Sequence, residues 1–306
     1  MFRRDLLRLG ALGCLSSALP RWAVAREDRR EVRAFDLKEK SVELNSGFAM
    51  PIVGLGTYSL HGDVCVRSVR AALECGVRLV DTASIYGNER EVGAAVREAL
   101  RGGLDRNDIF VTTKLYPSQF DRPEKALEES LAKLDVGYAD LVLLHHPGTG
   151  DVAAYRTLEK AVERKLVRSI GLSNWYVKEL TEFLPKIDVP PALVQNEIHP
   201  FYQEKDVVPF IQGKGIVVQG WYPLGGRGWT APILGHPEIV RIGRAHGKTA
   251  AQVILRWNLQ RNIAVIPGSS NPAHIRENSE IFDFALSAEE MERMARLDRG
   301  EKHDWY

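Results

Sequence analysis

The 306-residue chain has no excess of either charge: 41 Lys and Arg stand against 40 Asp and Glu, a formal charge of +1. No run of like charge stands out, so neither a nucleic-acid footprint nor a standing attraction to anionic surfaces is expected. Cysteine is nearly missing, with only Cys14, Cys65 and Cys75. Cys65 and Cys75 share the amphipathic segment DVCVRSVRAALECG (63–76). A helix would set them about 15 Å apart, against the about 4.4 to 6.8 Å between Cα atoms that a disulfide needs. They are expected to be free thiols. Long apolar runs are also missing: the stretch from Leu9 to Leu19 falls short of the about 20 residues that span a bilayer. No strand-like run carries a His-x-His pair, which disfavours a metal-dependent barrel hydrolase built on His145, His146, Glu197 and His199. No bound metal is expected.

That short apolar run belongs to a segment unlike the rest. Phe2-Arg3-Arg4-Asp5-Leu6-Leu7-Arg8 is basic, and Ala23-Val24-Ala25 offers a small-x-small cleavage site. Residues 1–25 therefore read as a twin-arginine-type signal peptide, with residues 26–306 as one domain. Cys14 does not make a lipoprotein box, because Ala11-Leu12-Gly13 lacks a leucine three residues before it. The expected location is periplasmic, with no membrane association once the signal is removed; a signal that is not used would leave the chain cytoplasmic.

Through the rest of the chain one period dominates. Strand-like runs end near Gly56, Asp81, Lys114, His145, Ser173, Glu197, Tyr222 and Pro267. Helical patterns lie between them at 63–75, 89–101, 123–134, 151–164, 175–183, 204–214 and 248–262, with 271–281 after the last strand. Eight strand and helix units in one domain predict an α/β fold, a (β/α)8 TIM barrel. SVELNSGFAMP (41–51) alternates around Asn45-Ser46-Gly47 and reads as a β-hairpin plugging the barrel's bottom. LGGRGWTAPILGHP (224–237) reads as a long loop over the top. Ser287, three residues before Glu290, marks a capping box for a C-terminal helix outside the barrel.

Four polar residues fall at ends of these runs or just beyond: Asp81, Tyr86, Lys114 and His145. At the C-terminal face of a parallel barrel they would converge. A phenol with an ordinary pKa of about 10 is a poor proton donor near neutrality. An ammonium at about 4 Å in a dielectric of about 20 contributes about 4 kcal/mol, enough to bring the phenol near neutral pH. Asp81 would keep Lys114 charged, and His145 would orient a carbonyl oxygen and share its developing charge. As a set these four predict proton transfer, where each alone would read as a hydrogen-bonded rim residue.

The motifs then supply a resemblance. LNSGFAMPIVGLGTY (44–58), DTASIYGNEREVG (81–93), TTKLY (112–116), LHHP (144–147), GLSNW (171–175), QNEIHP (195–200), WYPLG (221–225), TAAQVILRW (249–257) and IPGSSNPAHIREN (266–278) resemble, in order, the segments of aldo-keto reductases, of the bacterial type with a short C-terminal loop. The resemblance implies NADPH- or NADH-dependent reduction of a carbonyl, with Asp81, Tyr86, Lys114 and His145 catalytic. It further implies that Ser173, Asn174 and Gln195 hold the nicotinamide carboxamide and that Trp221 stacks on its ring. Gly56, Thr57, Tyr58, Asp81 and Leu224 would follow the nucleotide, with Gly268, Ser269, His274, Glu277 and Asn278 at its adenosine end.

Two departures from the family pattern limit what carries over. Many relatives that use NADPH have lysine where this chain has Gly268 and arginine where it has His274. Charged contacts to the 2′-phosphate are thereby weakened, and NADH should serve at least comparably. Relatives commonly have tryptophan after the catalytic histidine, where this chain has His146. With Tyr58, Tyr86, His145 and His146 at the substrate, and Trp175 and the loop around Trp229 as further walls, a small or polar aldehyde, ketone or keto-sugar is expected. The chain is expected to act as a monomer on a small-molecule carbonyl. The alternative is a nicotinamide-binding regulatory or sensor protein with little turnover. Mass spectrometry of the exported protein should find a mature N-terminus just after Ala25; a chain retained whole in the cytosol would refute the signal reading.

Overall fold

A computed structural model describes residues 34–304. The segment read as a signal peptide, 1–25, lies outside the described residues, as do Trp305 and Tyr306. A hairpin, β1 (Ser41–Glu43) and β2 (Ala49–Pro51), comes first, followed by β3 (Gly54–Gly56), α1 (Gly62–Glu74), β4 (Leu79–Asp81), α2 (Glu89–Arg101), β5 (Phe110–Leu115), α3 (Pro123–Leu134) and β6 (Ala139–Leu144). Then come α4 (Asp151–Glu163), β7 (Val167–Ser173), α5 (Val177–Phe183), β8 (Leu193–Glu197), α6 (Val207–Gln212) and β9 (Val217–Trp221). After β9 run α7 (Thr230–Leu234), α8 (Pro237–His246), α9 (Ala250–Gln260), β10 (Ile263–Val265), α10 (Pro272–Ser279) and α11 (Ala288–Ala295).

Strands β3 to β10 pair in parallel, each with its neighbour in sequence. The seam between β10 and β3 is closed by a parallel bridge of Val53 with Val265 and by Gly56 N–H donating to Pro267 O at 3.3 Å. This is the (β/α)8 barrel that the βα period predicts. Every residue of β5 and β6 is buried, because a parallel strand packs side chains inside the barrel and helices outside it. Gly56 sits at the seam, where a Cβ would lie 2.7 Å from Ile266 O. Only glycine lets the first and last strands approach so closely.

The hairpin plugs the barrel's N-terminal end. Val42, Leu44 and Met50 pack in one cluster with Leu79, Phe110, Leu141, Leu193 and Val217 from the strands. Its turn is fastened by Asn45 Nδ2 donating to Pro191 O at 2.8 Å and by a 2.7 Å bond between the Ser46 and Ser169 hydroxyls. At the other end of the chain, α11 carries the Ser287 and Glu290 capping box. It packs outside the barrel, where Met294 joins Ile239, Ile242 and Trp257.

Two expectations need correction. The stretch after Leu224, read as loop to residue 237 with no element up to 247, contains α7 and α8. Pro237, the last residue of the expected loop, occupies the first turn of α8 with His236 as its cap, where a missing N–H costs nothing. The helix predicted over 204–214 shrinks to α6, since Glu204 has φ +53. Leu44→Ala should lower unfolding stability by about 2 to 5 kcal/mol, as measured by denaturant titration; a loss under about 1 kcal/mol would mean that the hairpin only rests on the barrel.

Candidate active site

The strand ends converge on a cavity of about 640 Å³ at the C-terminal face of the barrel. Its walls include Tyr58, Asp81, Tyr86, His145, His146, Ser173, Asn174, Gln195, Trp221 and Leu224, with Gly56, Gly268 and Ser269 toward one end. The fold thus gathers residues scattered over more than two hundred positions of sequence.

Asp81 ends β4, and Lys114 sits one residue before the end of the adjacent β5. Both are buried, and Lys114 Nζ donates to Asp81 Oδ1 at 2.5 Å, to Thr82 O at 3.0 Å and to the Tyr86 hydroxyl at 3.4 Å. Gln195 Nε2 donates to Asp81 Oδ2 at 2.8 Å. Tyr86 is carried on a single turn of helix, Ser84–Tyr86, that ends at Gly87 with φ +68. The turn lifts the phenol over the ion pair. His145 follows β6; its ring lies 5.6 Å from that of Tyr86 and stacks at 4.8 Å on His146.

Burial dominates the electrostatics. It raises the Asp81 carboxyl, and the facing ammonium only partly restrains that; it lowers Lys114, against the pull of Asp81. Burial and the Asp81 carboxylate also push the Tyr86 phenol well above its ordinary range. This reverses the expectation of a phenol titrating near neutrality. Lys114 shares its charge with Asp81, so the ammonium offsets only part of the phenol's cost of ionising away from water. Burial and the Lys114 charge hold the His145 imidazole well below its usual value, and burial with Lys302 brings His146 down to about 4. At neutral pH both rings are uncharged.

The wall next to the ion pair suits a carboxamide. Gln195 gives its amide hydrogens to Asp81 Oδ2 and Gln219 Oε1, leaving its carbonyl oxygen to offer a ligand. The Ser173 hydroxyl accepts from Asn174 Nδ2 at 3.2 Å, leaving its own hydrogen to donate. One acceptor and one donor match the NH₂ and C=O of a primary amide. Asn174, also expected there, is engaged internally: Nδ2 reaches His145 O at 2.9 Å and Oδ1 accepts from Trp221 Nε1 at 3.1 Å. It fixes the indole and its neighbours. The Thr57 hydroxyl is likewise turned to Asp81 O at 2.8 Å. His274, Glu277 and Asn278 lie on α10 and do not line the cavity.

The loop around Trp229, expected as a wall, lines the cavity through Gly226, Arg227, Gly228 and Thr230, with Trp229 itself stacked on His303. Trp175 does not: it is a core residue at 1% exposure, packed on Phe183. Four aromatic or charged wall residues are not marked by the sequence: Tyr116, Tyr222, Arg227 and Asp304. Tyr116 meets both His145 and His146 edge-on, at 5.7 and 5.8 Å. It could have been found, since it follows Lys114 by two residues and so faces the same way. Arg227 could not, because its loop has no period. Among the described residues, Glu197, His199 and His303 are the one group close enough for a shared metal. His199 Nδ1 accepts from Phe201 N–H, so its Nε2 carries the proton and donates to Glu197. That tautomer offers no lone pair to a cation.

Known proteins resemble this chain along its length. A family model described as the Aldo/keto reductase family matches residues 53–299. Morphine 6-dehydrogenase of Pseudomonas putida is 37% identical over 277 residues, covering 86% of this chain and 93% of its own. NAD(P)H-dependent D-xylose reductase I,II of Candida tropicalis is 33% identical over 300 residues, 85% of this chain and 89% of its own. The crystal structure of MGS-M4, an aldo-keto reductase from a Medee basin deep-sea metagenome library, superposes with a TM-score of 0.82 at 34% identity, covering 86% and 96% of the two chains. Ultraviolet difference titration of wild type against Tyr86→Phe should find no tyrosinate belonging to Tyr86 below about pH 10; ionisation near neutrality would reinstate the lowered phenol.

Proposed function

From the premise that this chain belongs to the aldo/keto reductase family and is an NAD(P)H-dependent oxidoreductase, we propose that it reduces small or polar aldehydes and ketones, keto-sugars among them, with Tyr86 as the proton donor. The observation that carries this reading is the line Asp81, Lys114, Tyr86, in hydrogen-bond sequence, with Gln195 bonded to Asp81 and Ser173 also lining the cavity. Bound reduced nicotinamide would supply the hydride. The chain's own groups handle the proton and the charge.

Because the phenol is held protonated, Tyr86 meets a carbonyl oxygen as an acid over the whole neutral range. The neutral His145 ring donates a second hydrogen bond to that oxygen. As the proton leaves the Tyr86 hydroxyl, Lys114 at 3.4 Å stabilises the phenolate that forms. The ammonium therefore acts in the transition state more than on the resting phenol. In the reverse direction an alcohol would need Tyr86 already ionised. Since its folded pKa is raised, oxidation should climb with alkaline pH while reduction stays level through neutrality.

The walls favour polar substrates. Tyr58, Tyr116, Tyr222 and His146 present hydroxyls and imidazole nitrogen around the reacting oxygen. Toward the adenosine end, Gly268 and Ser269 offer no cation for a 2′-phosphate, which supports use of NADH beside NADPH. A panel of aldehydes and keto-sugars, run with both nucleotides, tests the whole reading. Tyr86→Phe should lose about a hundredfold to ten-thousandfold in turnover while keeping nucleotide affinity, and NADH should serve at least comparably. Retained turnover in the variant would refute the acid, and about a hundredfold preference for NADPH would refute the cofactor reading. Tight nucleotide binding with negligible turnover across the panel would mark a sensor.

A further inference from the structure

The last described residues run along the segment that follows β8, and the contacts between the two are dense. Phe201 O accepts the N–H groups of Arg299 and Glu301 at 3.0 and 3.1 Å, and the Arg299 guanidinium lies 3.8 Å over the Phe201 ring. Glu197, fully buried at the end of β8, accepts His303 N–H on Oε1 at 2.6 Å and Asp304 N–H on Oε2 at 3.1 Å. His199 Nε2 donates to the same carboxylate at 2.9 Å. One buried carboxylate therefore holds the tail by its backbone and fixes the neighbouring imidazole.

The tail then reaches the loop after β9, whose residues Tyr222, Leu224, Gly226, Arg227 and Thr230 wall the cavity. His303 Nδ1 donates to Gly225 O at 2.8 Å. Its ring is sandwiched between His199, at 4.0 Å and 17°, and Trp229, at 4.3 Å and 8°. Tyr222, Gly225, Gly226 and Gly228 all have positive φ. Leu224 packs on the core and Tyr222 lies 6.1 Å from Tyr58, while the exposed Arg227 sits 4.8 Å over the Tyr58 ring and donates to Ser59 Oγ at 3.0 Å. An exposed, solvated contact of this kind holds weakly.

We infer that His303 is a positioning residue for this wall: the Glu197-anchored tail presents its ring as the latch that keeps the loop over the cavity, and so sets the rate at which nucleotide leaves. The consequence for release rests on the reductase reading; the latch itself does not. Two measurements separate them. Hydrogen exchange over residues 222–230 reports the loop directly, and loss of the fluorescence of bound NADPH reports release. Removing one stacked ring and one hydrogen bond in His303→Ala should speed both by about tenfold. His303→Phe, which keeps the stack, and His303→Gln, which keeps a donor for Gly225 O, should each recover part of the effect. Single-turnover hydride transfer from bound nucleotide should stay within about twofold of wild type.

Unchanged exchange over the loop in His303→Ala would overturn the latch. So would hydride transfer slowed in step with faster exchange, since His303 would then only support the site as a whole. If His303→Ala does not fold, Phe and Gln replacements that exchange and release at the wild-type rate overturn it equally. Should wild type bind no NADPH, the function proposed above falls, and loop exchange alone decides the latch.

Discussion

Everything at the mouth of this barrel is arranged around one buried ion pair. An ammonium at 0% exposure is tolerable only against a carboxylate, and Lys114 has Asp81 on the neighbouring strand. The pair in turn dictates its surroundings. Gln195 must turn its amide nitrogen to Asp81, which leaves its oxygen for a ligand, and Thr82 O must take the second ammonium bond. Tyr86 receives the third, and longest, of them. Breaking such a pair leaves an uncompensated charge in the interior and costs about 3 to 5 kcal/mol, so the chemistry and the stability of the site are not separable at Asp81.

The pair also explains why proximity misled the sequence reading. Counting one charge at one distance puts the phenol near neutrality, whereas a charge already neutralised within hydrogen-bond distance does little for a third group. What persists is desolvation, and it acts on Asp81, Tyr86, Lys114, His145 and His146 in the same sense, toward the neutral form. Beside the ion pair, the Tyr86 phenol consequently stays protonated and the two imidazoles stay uncharged until the reaction creates further charge.

Most of the fold was legible because its signal is local and repeated. Strand ends expected at Gly56, Asp81, Ser173 and Glu197 are those observed, since an apolar run must stop where the barrel's rim begins. The four polar residues at those ends were legible for the same reason. What escaped lies where the period lapses. Pro237 reads equally as a terminator and as a first helical residue, and only the packing of Ile239 and Ile242 decides between them. Trp175 follows Asn174 in sequence, but the chain turns it into the core against Phe183. Asn174 shows a subtler limit: its amide is spent on Trp221 and His145, an arrangement between three strand ends that no single segment encodes.

The glycine seam has a consequence for the order in which the molecule can be made. β3 and β10 lie at opposite ends of the domain sequence, and they meet through Val53 and Val265 and at Gly56 with Pro267. Gly56 and Gly268 face each other there. One end of the cavity is therefore built from the first barrel strand and the last. A growing chain that has not yet passed residue 268 has all four of Asp81, Tyr86, Lys114 and His145 but only half of that groove. Contacts of such long sequence separation form late and slowly, so competence to bind would be acquired in a single closing event near the end of folding.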